Sequence, residues 1–187
     1  MKIACIGWGS LIWDSQDLPL KSTWYSDGPL LPIEFSRESS DGRMTLILLD
    51  NSDNMVNSLW SLLSVTTLHE AKIVLAKREG ISDKNIKYSI GYWDKDSNSS
   101  HGLSSLAIET WAKDRNLDAV VWTNLKFGFK SSRDIIPEYS TIIKHFQSLS
   151  KEQYMLAEQY VRKTPKQVKT PYRLMFERDL AWTAINL

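Results

Sequence analysis

Hydrophobic and polar positions change period several times along this chain, and each change predicts an element. Ile3, Ala4, Cys5 and Ile6 form an unbroken apolar run that stops at Gly7-Trp8-Gly9-Ser10, which predicts a strand covered on both faces and then a turn. Residues 15 to 29 are irregular, punctuated by Pro19, Gly28 and Pro29. Residues 30 to 37 alternate, with Ile33 and Phe35 on one face and Glu34 and Ser36 on the other, and predict a strand. A turn over residues 39 to 42 returns it as a second strand over 44 to 49, forming a hairpin. Residues 51 to 54 read as another turn and 56 to 63 as a third strand.

The most legible helix spans 67 to 80. Thr67 and Glu70 have capping-box spacing, Leu68, Ala71, Val74 and Leu75 share a face, and Gly80 stands where a helix stops. Ile86, Tyr88, Ile90 and Tyr92 alternate and predict a strand. After a polar turn, Leu103, Leu106, Ala107 and Trp111 predict a helix, and residues 119 to 125 a buried strand. From Ser131 onward the pattern is helical, first with Ile135, Ile136, Ile142, Ile143 and Phe146, then with Met155, Leu156 and Tyr160. The succession predicts a single α+β domain over residues 1 to 187, with a helical C-terminal extension from about 131.

Composition adds exclusions. A chain of 187 residues, 42% hydrophobic and 24% charged, has the size and balance of one globular domain. A net charge of +1 gives no reason to expect nucleic acid or an anionic membrane as partner. No apolar run approaches a membrane span, and the start MKIACIGWGS turns polar too soon for a signal peptide, so the expected location is cytoplasmic. The single cysteine, Cys5, lies in the first apolar run and reads as a small core residue. His69, His101 and His145 lack ligand spacing to each other or to cysteine, so no structural zinc site is expected. Most of the eight tryptophans are expected in the core or in pocket walls. Residues 161 to 173 carry five positive charges, no acid, and Pro165 and Pro171. They read as a solvated linker in preference to a strap over a pocket.

Two places carry candidate chemistry. Gly7 and Gly9 let the chain turn with its amides directed one way, and Ser10 stands where it would cap a turn starting at Leu11. Both devices favour an anion, so the loop reads as a carboxylate or oxyanion cradle, against the plainer reading of a tight turn. It is not a dinucleotide fingerprint, because the third glycine position is Ile12, nor a P-loop, because no lysine follows before Lys21. Nor is it a nucleophile elbow, since Trp8 and Ile12 stand where glycines are needed around Ser10. The second place is Glu79, four residues beyond Leu75 on the buried stripe. Desolvation and the negative helix end should raise its pKa, while Arg78 and Lys77 would pull it down. Glu34 is a rival acid, and Arg37 and Arg43 beside the hairpin turn are candidates for a substrate carboxylate. Ser10 or Cys5 with His101 as a hydrolase has no triad spacing behind it.

The segment GWGSLIWD resembles the glycine loop of the gamma-glutamylcyclotransferase superfamily, which reads Gly-Tyr-Gly-Ser-Leu or Ala-Tyr-Gly-Ser-Asn after the first strand. Its Ser-Leu-Ile-Trp continuation is nearest to the glutathione-degrading branch. Arg78-Glu79-Gly80-Ile81 resembles the Glu-Gly-Val or Arg-Glu-Ala-Val stretch that carries that superfamily's catalytic glutamate. The resemblance covers about the first two-thirds of the chain. It implies a small curved mixed sheet or barrel with flanking helices, and Glu79 as the acid–base residue. It also implies a gamma-glutamyl substrate held by Gly7, Trp8, Gly9, Ser10 and Leu11, with Tyr88 matching a tyrosine near the substrate. Trp8 stands where the superfamily has tyrosine. The implied reaction is cyclisation of a small gamma-glutamyl compound to 5-oxoproline without metal or cofactor. The alternative is a catalytically silent binding module that keeps the pocket.

Overall fold

The computed structural model describes residues 1–49 and 53–185; the first half of the turn expected at 51 to 54 lies outside them. The strands are β1 (Ile3–Gly7), β2 (Leu30–Leu31), β3 (Ile33–Glu38), β4 (Met44–Leu48), β5 (Val56–Asn57), β6 (Leu59–Leu62), β7 (Ile90–Asp94), β8 (Ser99–His101), β9 (Ala119–Thr123), β10 (Gly128–Phe129) and β11 (Ser132–Arg133). The helices are α1 (Leu68–Arg78), α2 (Asp83–Ser89), α3 (Ser105–Asp114), α4 (Tyr139–Ser148), α5 (Lys151–Lys163) and α6 (Pro171–Leu180). The fold is α+β with mixed sheets. The central sheet has the order β6-β1-β9-β7-β8 and a second sheet the order β11-β10-β3-β4.

Every residue of β1 is buried, because the strand has a layer on each side. Ala4 and Ile6 enter the larger core with Phe35, Trp122 and Phe146. Ile3 and Cys5 enter a smaller one with Leu75, Ile90 and Val121, closed from outside by α1. β1 pairs antiparallel with β6 and parallel with β9, in register Ile3↔Ala119 to Cys5↔Val121. The carboxyl ends of the two parallel strands therefore open on the same side. Among the described residues the sheet does not close into the barrel that the superfamily resemblance allowed: β8 ends one edge, and the outer side of β6 takes only single bridges, Tyr25 to Trp60 and Leu20 to Leu63.

Several expectations hold. The hairpin is β3–β4, closed by Ser39 N–H to Arg43 C=O at 2.9 Å, with Gly42 at φ +87°. In α1, Thr67 Oγ1 accepts from the Glu70 amide at 3.1 Å, while the Glu70 carboxylate reaches back to the Thr66 amide, one residue beyond the box's usual partner. The strand expected over 30 to 37 is cut into β2 and β3 at Pro32, which has no amide to donate. That expected over 56 to 63 is likewise split around Ser58.

Other expectations fail for identifiable reasons. The strand expected from Ile86 begins only at Ile90, because residues 83–89 form α2. Ser82 precedes this short polar helix without a side-chain cap bond, its carbonyl accepting the Asn85 amide at 2.8 Å, and no residue of α2 is fully buried, so the period-two spacing of Ile86 and Tyr88 is incidental. Helix α3 buries Ile108, Trp111 and Ala112, a face that shares Trp111 with the expected one but is rotated away from Leu106 and Ala107, which are exposed. Residues from 131 are not helical until Tyr139: β11 intervenes, and Ile135 and Ile136 are exposed. Glu34 and Ser36 are buried as well as Ile33 and Phe35, so both faces of this part of β3 are covered. Glu34 accepts from Thr170 Oγ1 at 2.6 Å, the Phe35 amide at 2.7 Å and the Tyr172 amide at 3.1 Å, fixing the start of α6. Nor is 161 to 173 a solvated linker. Arg173 is buried and donates to the carbonyls of Thr164, Pro165 and Val168 at 2.9, 2.6 and 2.9 Å, so it folds the α5–α6 connection around itself.

No helix among the described residues is long and apolar enough to cross a membrane. Leu75 is fully buried where α1 meets the central sheet. Leu75→Ala is expected to lower stability by about 2–5 kcal/mol, read as a reduced denaturant midpoint with the slope unchanged.

Candidate active site

The chain leaves β1 at Gly7 and turns at once. The Ile12 amide donates to Gly9 C=O at 3.0 Å and the Asp14 amide to Ser10 C=O at 2.9 Å. These bonds close the turn and leave the amides of Gly9, Ser10 and Leu11 without a protein acceptor among the described residues. Such a set of free donors in one short loop suits a carboxylate or an oxyanion. Neither Gly7 nor Gly9 has a left-handed backbone. Crowding acts on both, and most on Gly9: a Cβ there would lie 2.5 Å from the Tyr160 hydroxyl, and one on Gly7 would press on Ile12 and Trp24 at 3.1 Å.

Glu79 caps the C-terminus of α1, its amide donating to Leu75 C=O at 3.0 Å, and Gly80 follows with φ +64°. Its carboxylate is held by Arg78, Nη1 to Oε1 at 2.7 Å. The same guanidinium donates from Nη2 to Ser10 Oγ at 3.1 Å and to Asp14 C=O at 2.6 Å, and from Nε to Asp14 C=O at 3.2 Å. One side chain, only 7% exposed, thus joins the loop to the helix end. Glu79 is itself 17% exposed. Burial pushes its pKa above the ordinary glutamate value, and the charge and hydrogen bond of Arg78 oppose that rise without cancelling it.

Loop and carboxylate face a polar cleft of about 920 Å³. Its other walls carry Arg37 and Arg43 from the β3–β4 hairpin, Thr123 at the end of β9, and Tyr160 and Lys163 from α5. Tyr160 was visible in the sequence only as a helix-face residue beside Met155 and Leu156. The structure turns Tyr160 inward and those two outward. Its hydroxyl accepts the Leu46 amide at 3.3 Å, and Leu46 C=O accepts Trp8 Nε1 at 3.1 Å. Burial first, then the charge of Glu79, push the Tyr160 pKa up to about 12 against the opposing Leu46 hydrogen bond. It therefore stays a phenol whose own proton can be donated beside Gly9. No local pattern marks it, since the contact spans most of the chain.

Of the residues expected at a site, Trp8, Gly9, Ser10, Leu11 and Glu79 line the cleft, and Gly7 supports it from the buried end of β1. Tyr88 does not. It lies on α2, 61% exposed, with Lys87 Nζ 4.6 Å from its ring centroid, and contributes only a carbonyl to Asn124 Nδ2. Its misplacement follows from the helix that replaces the expected strand. Glu34 and Lys77 line no part of the cleft, and no histidine does. Cys5 is buried, its thiol pushed far up by desolvation and by Glu79. Among the described residues no three His, Cys, Asp or Glu side chains are grouped as metal ligands.

Comparisons with models of protein families, with characterised proteins and with solved structures found no match. The chemistry must be read from the arrangement itself: free amides to hold an anion, a desolvated carboxylate to move a proton, and a phenol beside both.

Two outcomes test this geometry without assuming a reaction. Replacing Arg78 by Gln removes the charge that favours the Glu79 carboxylate, so the Glu79 midpoint, followed by carbon-detected NMR, is expected to move to higher pH. A midpoint that stays or falls would show that Arg78 does not set it. Gly9→Ala is expected to fold with about 1–3 kcal/mol less stability and to displace Tyr160 from Leu46, visible as a shifted Leu46 amide resonance.

Proposed function

We propose that this chain is a gamma-glutamylcyclotransferase-like lyase, cyclising a small gamma-glutamyl compound to 5-oxoproline and releasing an amine or peptide. The observation that carries the reading is the Arg78 link, which sets the desolvated Glu79 carboxylate beside three unpaired loop amides in one cleft. These are the two segments whose sequences resemble that superfamily, 68 residues apart at Arg78 and Ser10.

The reaction asks little of a protein beyond these parts. The substrate's α-amine attacks its own γ-carbonyl, a C–N bond forms, and the original amide C–N bond breaks. Folding the substrate into attack geometry supplies most of the acceleration, because the nucleophile is intramolecular. The amides of Gly9, Ser10 and Leu11 would hold the α-carboxylate or the developing oxyanion, with the Tyr160 hydroxyl as a further donor. Glu79 would take the proton from the attacking amine and return it to the leaving nitrogen, its raised pKa making it a better base near neutrality. Arg78 gives four hydrogen bonds to protein acceptors and acts as a positioning residue.

The silent binding module remains the second reading, and Trp8 is the residue that favours it. Its indole N–H is spent on Leu46 C=O, so it offers substrate no hydroxyl where the superfamily has tyrosine. Tyr160, hydrogen-bonded to the same Leu46, supports the lyase by supplying a hydroxyl from another element.

The deciding assay is 5-oxoproline release from a panel of gamma-glutamyl amino acids, peptides and amines. One or more is expected to give product, and Glu79→Gln is expected to lower the rate by about 10²-fold or more with the fold retained. Glu34→Gln is expected to leave the rate of the folded protein within a few-fold. Binding without product would favour the silent module; loss of activity in Glu34→Gln but not Glu79→Gln would overturn the assignment of the base.

A further inference from the structure

Two cations in the cleft have no carboxylate to balance them. Arg37, on β3, is partly buried, and its guanidinium makes a single hydrogen bond, Nη1 to the Lys126 carbonyl at 2.6 Å, with no ion pair among the described residues. Burial and the nearby Arg133 both act against its charge. Arg133 is turned to the carbonyls of Gly128 and Glu38 and does not relieve it. Lys163, the last residue of α5, lines the same cleft with no hydrogen bond or ion pair of its own among the described residues. Arg43 differs, being held by Asp41 at 2.7 Å and lying 5.3 Å from the centroid of Tyr160. Arg78 differs too, its donors being taken by Glu79, Ser10 and Asp14.

A partly buried guanidinium with unused donors is an incomplete anion site. It is also separate in the chain from the loop amides, which can satisfy one anionic group on their own. A second anion is therefore called for on the same ligand. We propose that Arg37, assisted by Lys163, is the subsite for a carboxylate on the leaving part of the substrate. The ligand class is then gamma-glutamyl amino acids and gamma-glutamyl peptides, and gamma-glutamyl amines are excluded. This rests on the gamma-glutamyl reading above for the nature of the ligand.

The test separates the two. N-glutarylglycine is gamma-glutamylglycine without its α-amine, so it cannot cyclise, and N-glutarylglycinamide differs from it only in lacking the terminal carboxylate. Calorimetric titration of the unaltered protein is expected to show the glycine compound binding about 10- to 100-fold tighter than the amide. Arg37→Gln should reduce that ratio to a few-fold or less, Arg37→Lys should restore part of it, and Lys163→Gln should reduce it less. The last variant disturbs no protein contact, so it still reports should Arg37→Gln fail to fold. Equal binding of the two compounds, no binding of either, or a ratio unchanged in both Gln variants would overturn the subsite. Release of 5-oxoproline from gamma-glutamylglycine is measured alongside. A carboxylate preference without product would leave the subsite standing and sink the lyase reading, whereas product without preference would do the reverse.

Discussion

The Arg78 guanidinium is the contact on which the candidate site depends. Taking a cation almost wholly out of water is costly unless its donors are met, and here they are met by a carboxylate, a hydroxyl and a backbone carbonyl. Those acceptors belong to two segments far apart in the chain, which the smaller core also joins through Leu11, Leu75 and Ile81. Satisfying one buried charge therefore fixes the loop against the helix end. It also limits how far burial can raise Glu79, since the same charge favours the carboxylate that burial disfavours.

The fold supplies the geometry that makes this link possible. β1 and β9 run parallel, so the loop after β1 and Thr123 at the end of β9 reach the same opening, the usual place for ligands at the carboxyl ends of parallel strands. Helix α1 lies over the smaller core with its last turn above that opening, and α5 closes the opposite wall through Tyr160. Leu46 ties the walls together, its amide bonded to Tyr160 and its carbonyl to Trp8. The close approach of Tyr160 explains why position 9 must lack a side chain.

The parts of this arrangement that a sequence shows are the ones encoded locally. β1, the hairpin, α1 with its cap, and Glu79 on the buried stripe all follow from periodicity and turn chemistry over a few residues. What was illegible depends on remote partners. Ile86 and Tyr88 continue the alternation of Ile90 and Tyr92, yet residues 83–89 form α2, which carries Tyr88 out to solvent, with Asn124 holding the Tyr88 and Ser89 carbonyls. Glu34 looked available for chemistry until α6 covered its face, and Arg173 looked like linker charge until three carbonyls gathered around it. Tyr160 and Lys163 could not be found by spacing, because their relation to the loop crosses some 150 residues of chain.

Glu34 and Glu79 together show how one fold separates a structural carboxylate from a reactive one. Burial raises both pKa values. By linkage, each favours the protonated folded state, so its contribution to stability is fully present below the unfolded glutamate pKa of about 4.3. That contribution is lost as pH rises through the higher folded value. At neutral pH both are liabilities, but of different kinds. Glu34 is wrapped by a hydroxyl and two amides that depend on it, one of which starts α6, so its ionisation is offset by organised donors. Among the described residues the Glu79 carboxylate has Arg78 alone, and it opens onto the cleft. A carboxylate left partly unsatisfied, desolvated and reachable is poorly suited to holding a fold together and well suited to exchanging a proton.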